Sequence, residues 1–359
     1  MDEAALHDLL SGRRQDVAAR LLRSGLSVAS VLYAAATSAR NGAYDQQWLP
    51  THRASAPVIS VGNVTTGGTG KTPVVAWLVN RLLQAGCHPG ILSRGYHALA
   101  VDSSGQSISE NDEKRVLDRL CPGVPHLQQR DRVRSGTHAT QDLGCDVLVL
   151  DDGFQHRRLH RDLDLVLIDS LRPWGYGQLL PRGLLRESLR SLRRADTILI
   201  TRANQSPIAE LDRIRTQLHR CRGTDECVEV AFTPQWFVDF AGTRHPIDSL
   251  IGKSVFAFCG IGNPVGFGQT VDGLHVRCQQ LQTFPDHHHY TPADLMALAE
   301  RAKSLAVDAV LVTQKDIVKL SASDWNGPPL FAIEIGADLI SGAELLEQQL
   351  RRVIEASRA

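Results

Sequence analysis

Gly67, Gly68 and Gly70, followed at once by Lys71 and Thr72, are the residues of this 359-residue sequence whose types and spacing most directly name a chemistry. Closely spaced glycines let successive backbone N–H groups turn toward phosphate oxygens. A lysine at that spacing reaches the β- and γ-phosphates of a nucleotide, and a threonine hydroxyl there takes Mg²⁺. The candidate ATP-binding loop is Thr65, Thr66, Gly67, Gly68, Thr69, Gly70, Lys71 and Thr72, with Thr65 where the strict pattern has glycine. A second set is Asp151 and Asp152, which close the apolar run Val147–Leu150. Paired carboxylates at the end of a buried strand are placed to hold Mg²⁺ directly or through water, so Thr72, Asp151 and Asp152 form the candidate metal set.

The elements around these residues are in the order that chemistry needs. The β-branched run Val58–Val61 reads as a strand entering the glycine loop. Val74, Val75, Leu78 and Leu82 then recur at helical spacing, with Pro73 in the first turn where its missing donor is harmless. Gly90–Ser93 reads as a further strand, with Arg94 at its carboxyl end, where open α/β sheets place ligands. Asp102–Asn111 reads as an exposed polar loop and Asp112-Glu113 as the start of a helix. Strands at Asp164–Asp169 and Asp196–Thr201 continue the pattern, and from Ile208 its character changes. A helix and a strand pair near Val228–Phe240 precede a fresh α/β series with strands at Ser254–Cys259 and Ala309–Thr313, and the chain closes with an amphipathic helix from Gly342. The fold class is α/β: a P-loop NTPase-like domain with a mainly parallel sheet, plus a second, smaller α/β domain. Its expected divisions are a helical region at 1–44, the P-loop domain at 45–210 with the helix of 340–359 packed back on it, and a linker with the second domain at 211–339.

Other groups carry alternatives. Arg182, Arg186 and Arg190 are four apart and share a face if their segment is helical; with Arg157, Arg158 and Arg161 they read either as a basic rim for an anionic substrate or as a solvated face. Asp286 precedes three consecutive histidines, which cannot converge on one ion from a regular element. The readings are a turn histidine or an Asp/His catalytic contribution. Gly260–Gly266 imitates a dinucleotide fingerprint but has Val265 in place of the third glycine, and reads as a tight turn. With 39 Lys+Arg against 39 Asp+Glu, no overall basic footprint argues for nucleic acid. Seven cysteines without a C-x-x-C pair suit a reduced compartment and no structural zinc. The uncharged stretch Ser24–Ala39 is short and polar for a spanning helix, and the charged leader before it is long for a signal peptide. A helix on a membrane surface, with Arg20, Arg23 and Arg40 near its ends, and a helix packed on the protein's own core both fit.

The motifs taken together resemble the tetraacyldisaccharide 4'-kinases of lipid A biosynthesis over most of the chain. They are Val61-Gly62-Asn63 with Thr66–Pro73, Ser93-Arg94-Gly95-Tyr96, Asp151–His156, Leu180–Glu187, Gly260–Pro264, Phe284–His287 and Thr313–Asp316. The resemblance implies a kinase that moves the γ-phosphate of ATP, with Mg²⁺, onto the 4'-hydroxyl of an acylated glucosamine disaccharide 1-phosphate. It implies two α/β domains joined by a β-ribbon, a peripheral location on the cytoplasmic face of the inner membrane, a lipid substrate as partner, and no protein partner. By position it makes Asp112 the catalytic base, His287 its partner, and Arg132, His156, Arg186 and Glu187 further active-site positions beside Arg94. Asn111 and Lys114 stand where the family's Gly-Asp-Glu-Pro motif has glycine and proline, and Gln314 replaces the glutamate of Thr-Glu-Lys-Asp. The expected catalytic set is Asp112, His287 and Lys71, with domain closure bringing acceptor and nucleotide together. Two other classes are carried beside it: a nucleotide-dependent switch or chaperone for a protein partner, and a dehydrogenase built on Gly260–Gly266.

Overall fold

A computed structural model describes residues 8–95 and 112–358, so the polar segment 102–111 and Tyr96 lie outside the described residues. The described helices are α1 (Val17–Asp45), α2 (Lys71–Gln84), α3 (Asp112–Leu120), α4 (Arg132–Gln141), α5 (Ile208–Arg222), α6 (Pro264–Asp272), α7 (Pro292–Ser304), α8 (Gln314–Ile317) and α9 (Ala343–Ser357). The strands are β1 (Val58–Asn63), β2 (Pro89–Ser93), β3 (His126–Gln128), β4 (Val147–Asp151), β5 (Leu163–Asp169), β6 (Thr197–Thr201), β7 (Val228–Val238), β8 (Arg244–Pro246), β9 (Ser254–Cys259), β10 (Arg277–Thr283), β11 (Ala309–Thr313) and β12 (Leu330–Ser341).

The chain forms two compact units. The first takes the residues up to Gly95, then Gly123–Phe232, then those from Ala337 onward. Its strands run parallel in the order β7-β6-β5-β1-β4-β2-β3. β1, β2, β4 and β6 are buried along their whole length, which is why they read as unbroken apolar runs rather than alternating ones. β1 lies between β4 and β5, and its register pairs Val61 with Asp151, bringing the paired acids level with the strand end that enters the glycine loop. α2 buries Val74, Val75, Leu78, Val79 and Leu82. Gly70 caps it at φ 81°, where a Cβ would lie 2.1 Å from the Phe232 ring, so a side chain there would be strained and would displace the ring. α9 buries Leu346 and Leu350, and Glu347 takes two hydrogen bonds from Arg81 at 2.8 and 2.9 Å.

The second unit contains α3 through Pro122 and Thr233–Gly336. Parallel strands in the order β10-β9-β11-β12 form its sheet, and β8 pairs antiparallel with β7. Its core gathers Phe237, Val255, Ala257, Cys259, Leu311 and Ile333. The units follow different lines from the sequence boundaries at 45–210 and 211–339. β7 adds a parallel strand beside β6, so the first unit continues to Phe232, while α3 belongs to the second unit, with Val116, Leu117 and Leu120 buried. β7 and β12 carry the chain between the units.

Candidate active site

Asn63, fully buried at the end of β1, shapes the glycine loop from within. Its Nδ2 donates to the Thr65 carbonyl at 2.8 Å and the Thr69 hydroxyl at 3.0 Å, and its Oδ1 accepts from Lys71 Nζ at 3.5 Å. The loop's outer edge is tied to a second segment: Thr66 N donates to the Leu184 carbonyl at 2.7 Å and Arg186 N to the Val64 carbonyl at 2.7 Å. From the β6 end, Thr201 Oγ1 donates to the Thr69 carbonyl at 2.9 Å. Arg202 donates to the Gly68 carbonyl at 3.0 Å while pairing with Asp169 at 2.7 Å. Thr65 and Thr69 are thereby buried, whereas Gly67 and Gly68 are exposed and open to an anion.

Asp152 sits beside this loop. Arg186 Nη1 donates to both of its oxygens at 2.8 Å, and Lys71 Nζ lies 3.5 Å away. Burial alone would raise this carboxyl, but the Lys71 and Arg186 charges outweigh it and hold it at about 2. Asp152 has φ 54°, a left-handed conformation that costs an L residue about 1–2 kcal/mol. Asp151 is almost buried, and its carbonyl accepts from the buried Arg132 at 3.0 Å. His156 is pushed down to about 4 by burial and by the surrounding arginines Arg132, Arg161, Arg40 and Arg158, so it is a neutral imidazole at pH 7.

Arg182, Arg186 and Arg190 do not share a helical face. The segment carrying the first two is irregular, and only a 3₁₀ turn, Leu189–Arg194, follows. Arg182 donates to the Leu10 carbonyl, Arg186 meets Asp152, and Arg190 is exposed. Nor do Arg157, Arg158 and Arg161 line up as a rim: they pair with Asp45, Asp131 and Asp164 respectively. Glu187 stands behind Arg186, 2% exposed, accepting from Arg194 at 2.8 Å and Asn41 at 2.9 Å. Arg94 is exposed at the carboxyl end of β2.

Sequence reasoning missed the part α1 takes. Ser30, Tyr33 and Asn41 lie on one side of this helix. Ser30 Oγ donates to the Leu179 carbonyl at 2.7 Å and Tyr33 OH to the Arg186 carbonyl at 2.9 Å, while Asn41 holds Glu187. Arg40 donates to the Gln155 carbonyl at 2.9 Å, and Gln155 in turn donates to the Asn63 carbonyl at 2.9 Å. The opposite side exposes Val17, Leu21, Val28, Val31 and Leu32. The spacing of Ser30, Tyr33 and Asn41 was a readable signal for a polar inner face; their partners were not. At 29 residues α1 is, among the described residues, the helix long and apolar enough by length and composition to cross a membrane.

The second unit holds its own charged cluster. Asp112, the first residue of α3, lies with Oδ2 3.2 Å from His287 Nδ1 and 3.4 Å from Lys319 Nζ. Burial alone would raise its carboxyl, but the His287 hydrogen bond and the Lys319 charge hold it below the ordinary range. His287 moves the other way: the hydrogen bond to Asp112 raises it against the effect of burial, and Asp286 adds to the rise. His287 also has φ 56°. It is carried by a turn whose next residue, His288, stacks on Phe284 at 4.5 Å and meets Tyr290 edge-on. Glu113 pairs with Lys315 at 2.9 Å. The Gly260–Gly266 stretch is a turn capped by Asn63's namesake in the second unit, Asn263, which accepts from Gly266 N at 3.1 Å as α6 begins. Among the described residues no group of three His, Cys, Asp or Glu side chains forms a metal cage. The oxygen donors Thr72 and Asp151 at the loop are nonetheless of the hard kind Mg²⁺ takes alongside substrate phosphates.

A family model described as tetraacyldisaccharide-1-P 4'-kinase matches residues 22–355 of the chain. A protein of Syntrophus aciditrophicus named tetraacyldisaccharide 4'-kinase is 38% identical over 334 residues, covering 86% of this chain and 87% of the relative. One of the same name from Anaeromyxobacter dehalogenans strain 2CP-C is 36% identical over 337 residues, covering 90% and 89%. Among solved structures, LpxK from Aquifex aeolicus in complex with ATP superposes with a TM-score of 0.74 at 30% identity, covering 93% of this chain and 99% of that one.

Proposed function

The chain belongs to the tetraacyldisaccharide-1-P 4'-kinase family and is a kinase of lipid A biosynthesis, and from that premise we propose the residue roles and the membrane contact by which it works. It transfers the γ-phosphoryl group of ATP to the 4'-hydroxyl of a tetraacyl glucosamine disaccharide 1-phosphate. The observation that carries the nucleotide assignment is the convergence of Lys71 and Arg186 on Asp152 beside a glycine loop whose Gly67 and Gly68 face outward. The relative from Aquifex aeolicus binds ATP on the same fold.

Phosphoryl transfer through a loose transition state asks the protein mainly for positioning and charge. The loop amides and Lys71 cradle the β- and γ-phosphates, and Asp152 and Asn63 keep Lys71 aimed by holding its ammonium. Arg186, fixed by Asp152 and by the backbone contact of its carbonyl with Tyr33, adds positive charge at the same place. Thr72, Asp151 and Asp152 would hold Mg²⁺, which when bound neutralises charge on the phosphates. Asp112 orients the acceptor hydroxyl and takes its proton late in the transfer, when a carboxylate of low basicity suffices. His287 keeps that carboxylate oriented and receives the proton onward.

The exposed apolar side of α1 supports peripheral contact with the cytoplasmic face of the inner membrane, where an acylated substrate resides. Liposome flotation checks this: the native chain should float with anionic vesicles, and a chain with Leu21→Glu and Leu32→Glu should stay at the bottom. The activity is tested with labelled ATP, Mg²⁺ and a detergent-dispersed tetraacyldisaccharide 1-phosphate. A labelled lipid that disappears with Lys71→Ala supports the reading, whereas ATP hydrolysis indifferent to the lipid would point to a switch acting on a protein.

A further inference from the structure

Lys319 lies two residues beyond α8 and is 6% exposed, an ammonium that nothing in the established reaction requires. Its Nζ stands between two carboxylates, 3.4 Å from Asp112 Oδ2 and 3.6 Å from Asp316 Oδ1. Asp316 is completely buried and anchored from several sides. Its Oδ1 accepts from Gly260 N and from Tyr290 OH, each at 3.1 Å, and its Oδ2 accepts from Thr313 Oγ1 at 2.6 Å. Burial and the Asp316 charge push the Tyr290 phenol up, so it remains a donor. Asp316 is therefore a fixed counter-charge, and Lys319 hands that fixity on to Asp112.

We propose that Lys319 is a positioning residue for phosphoryl transfer: braced by Asp316, it pins Oδ2 of the Asp112 carboxylate so that Oδ1 is presented to the acceptor hydroxyl. The geometry is specific. His287 and Lys319 both approach Oδ2, at 3.2 and 3.4 Å, so the two contacts fix the rotation of the carboxylate through the same oxygen. Lys315, four residues earlier, clasps the neighbouring Glu113, so two lysines hold the two acids that open α3. A buried ammonium between two carboxylates is costly unless both remain in place, and the arrangement is lost as a unit when one member goes. The charged and titratable groups that face Asp112 are His287 and Lys319, with Lys315, Glu113, Asp286 and Asp316 behind them.

This inference rests on Asp112 acting on the acceptor's proton, and the experiment separates the two. Full-length Lys319→Met, Lys319→Arg, Asp112→Asn and the double variant Lys319→Met with Asp316→Asn are assayed for kcat, for KM of ATP and lipid, and for the pH dependence of kcat. Lys319→Met is expected to lower kcat about tenfold or more with KM for ATP unchanged, because one correctly held general base is at stake. It should also move the acidic limb of kcat to higher pH, since a cation beside Asp112 and His287 is gone, and Lys319→Arg should restore part of both. The double variant leaves no uncompensated buried charge, so it reports the same shift even where Lys319→Met folds poorly. An unshifted pH profile in a folded double variant, with kcat near that of the native chain, would overturn the proposal while Asp112→Asn remains inactive. Full activity in Asp112→Asn would instead overturn the reading of the base itself.

Discussion

Asp152 and Asp112 have side chains of the same exposure, 17%, and both are held below the ordinary carboxylate range by neighbouring donors, yet the donors differ in kind. Asp152 is fixed by Lys71 and Arg186, charges that persist across the neutral range. Asp112 shares Oδ2 between Lys319 and a histidine, a partner that titrates. A carboxylate locked by permanent cations keeps its charge through a reaction and suits the organisation of phosphates. One coupled to an imidazole can receive a proton and pass it on. Each group also has a left-handed backbone beside the chemistry, at Asp152 itself and at Asp112's partner His287, strain that persists only where the surroundings over-determine it.

The largest loss is expected at the glycine loop. Lys71→Ala should lower kcat by about 10³-fold or more, measured as labelled phosphate reaching lipid, because the main cation on the transferring group is removed and Asp152 loses a partner. Activity within tenfold of the native chain would mean the loop does not serve catalysis. Asp112→Ala should cost about 10²–10⁴-fold in kcat while equilibrium binding of a fluorescent ATP analogue stays as in the native chain. Lost nucleotide binding in that variant would show that Asp112 has been given the wrong role.

The titrating partner sharpens the distinction. His287 has its pKa raised above the ordinary 6.5, so the protonated form dominates below that raised value and engages Asp112 as a closed ion pair. As pH rises through it, His287 becomes able to accept a proton; kcat should therefore rise with pH through a midpoint above 6.5 and fall away on acidification. Asp152, at about 2, adds no such limb near neutrality. His287→Gln should erase the limb and lower kcat by about 10–100-fold, and a limb that survives the substitution belongs to another group. The smallest effect is expected from Tyr33→Phe, which removes the hydrogen bond to the Arg186 carbonyl and should cost about 1 kcal/mol, seen as a several-fold fall in kcat/KM for ATP. An identical kcat/KM would show that α1 does not steady Arg186.

The parts of this protein legible in its sequence are those set by neighbours along the chain. The glycine loop with Lys71 and Thr72, the apolar runs that became parallel strands, and the acids closing β4 follow from side-chain periodicity and backbone freedom over a few residues. The irregular course of Leu179–Glu187 escaped, because four-residue spacing matches a helix as well as a segment strapped to Val64 and Leu184 by backbone bonds. The roles of Glu187 and α1 were hidden for a related reason. Tyr33 and Arg186 are 153 residues apart, and Asn41 and Glu187 146, so no local pattern couples them.

From the sequence alone came the α/β class, the glycine loop with Lys71 and the acids that close β4, and, through resemblance, the pairing of Asp112 with His287. Only the tertiary structure decided that α3 belongs with Thr233–Gly336, that Arg182, Arg186 and Arg190 go to separate partners, and that Lys319 stands between Asp112 and Asp316. The division has a physical reason: backbone conformation and burial pattern are written in short windows of residue type, whereas the partner of a charge is chosen by packing between segments distant in the chain.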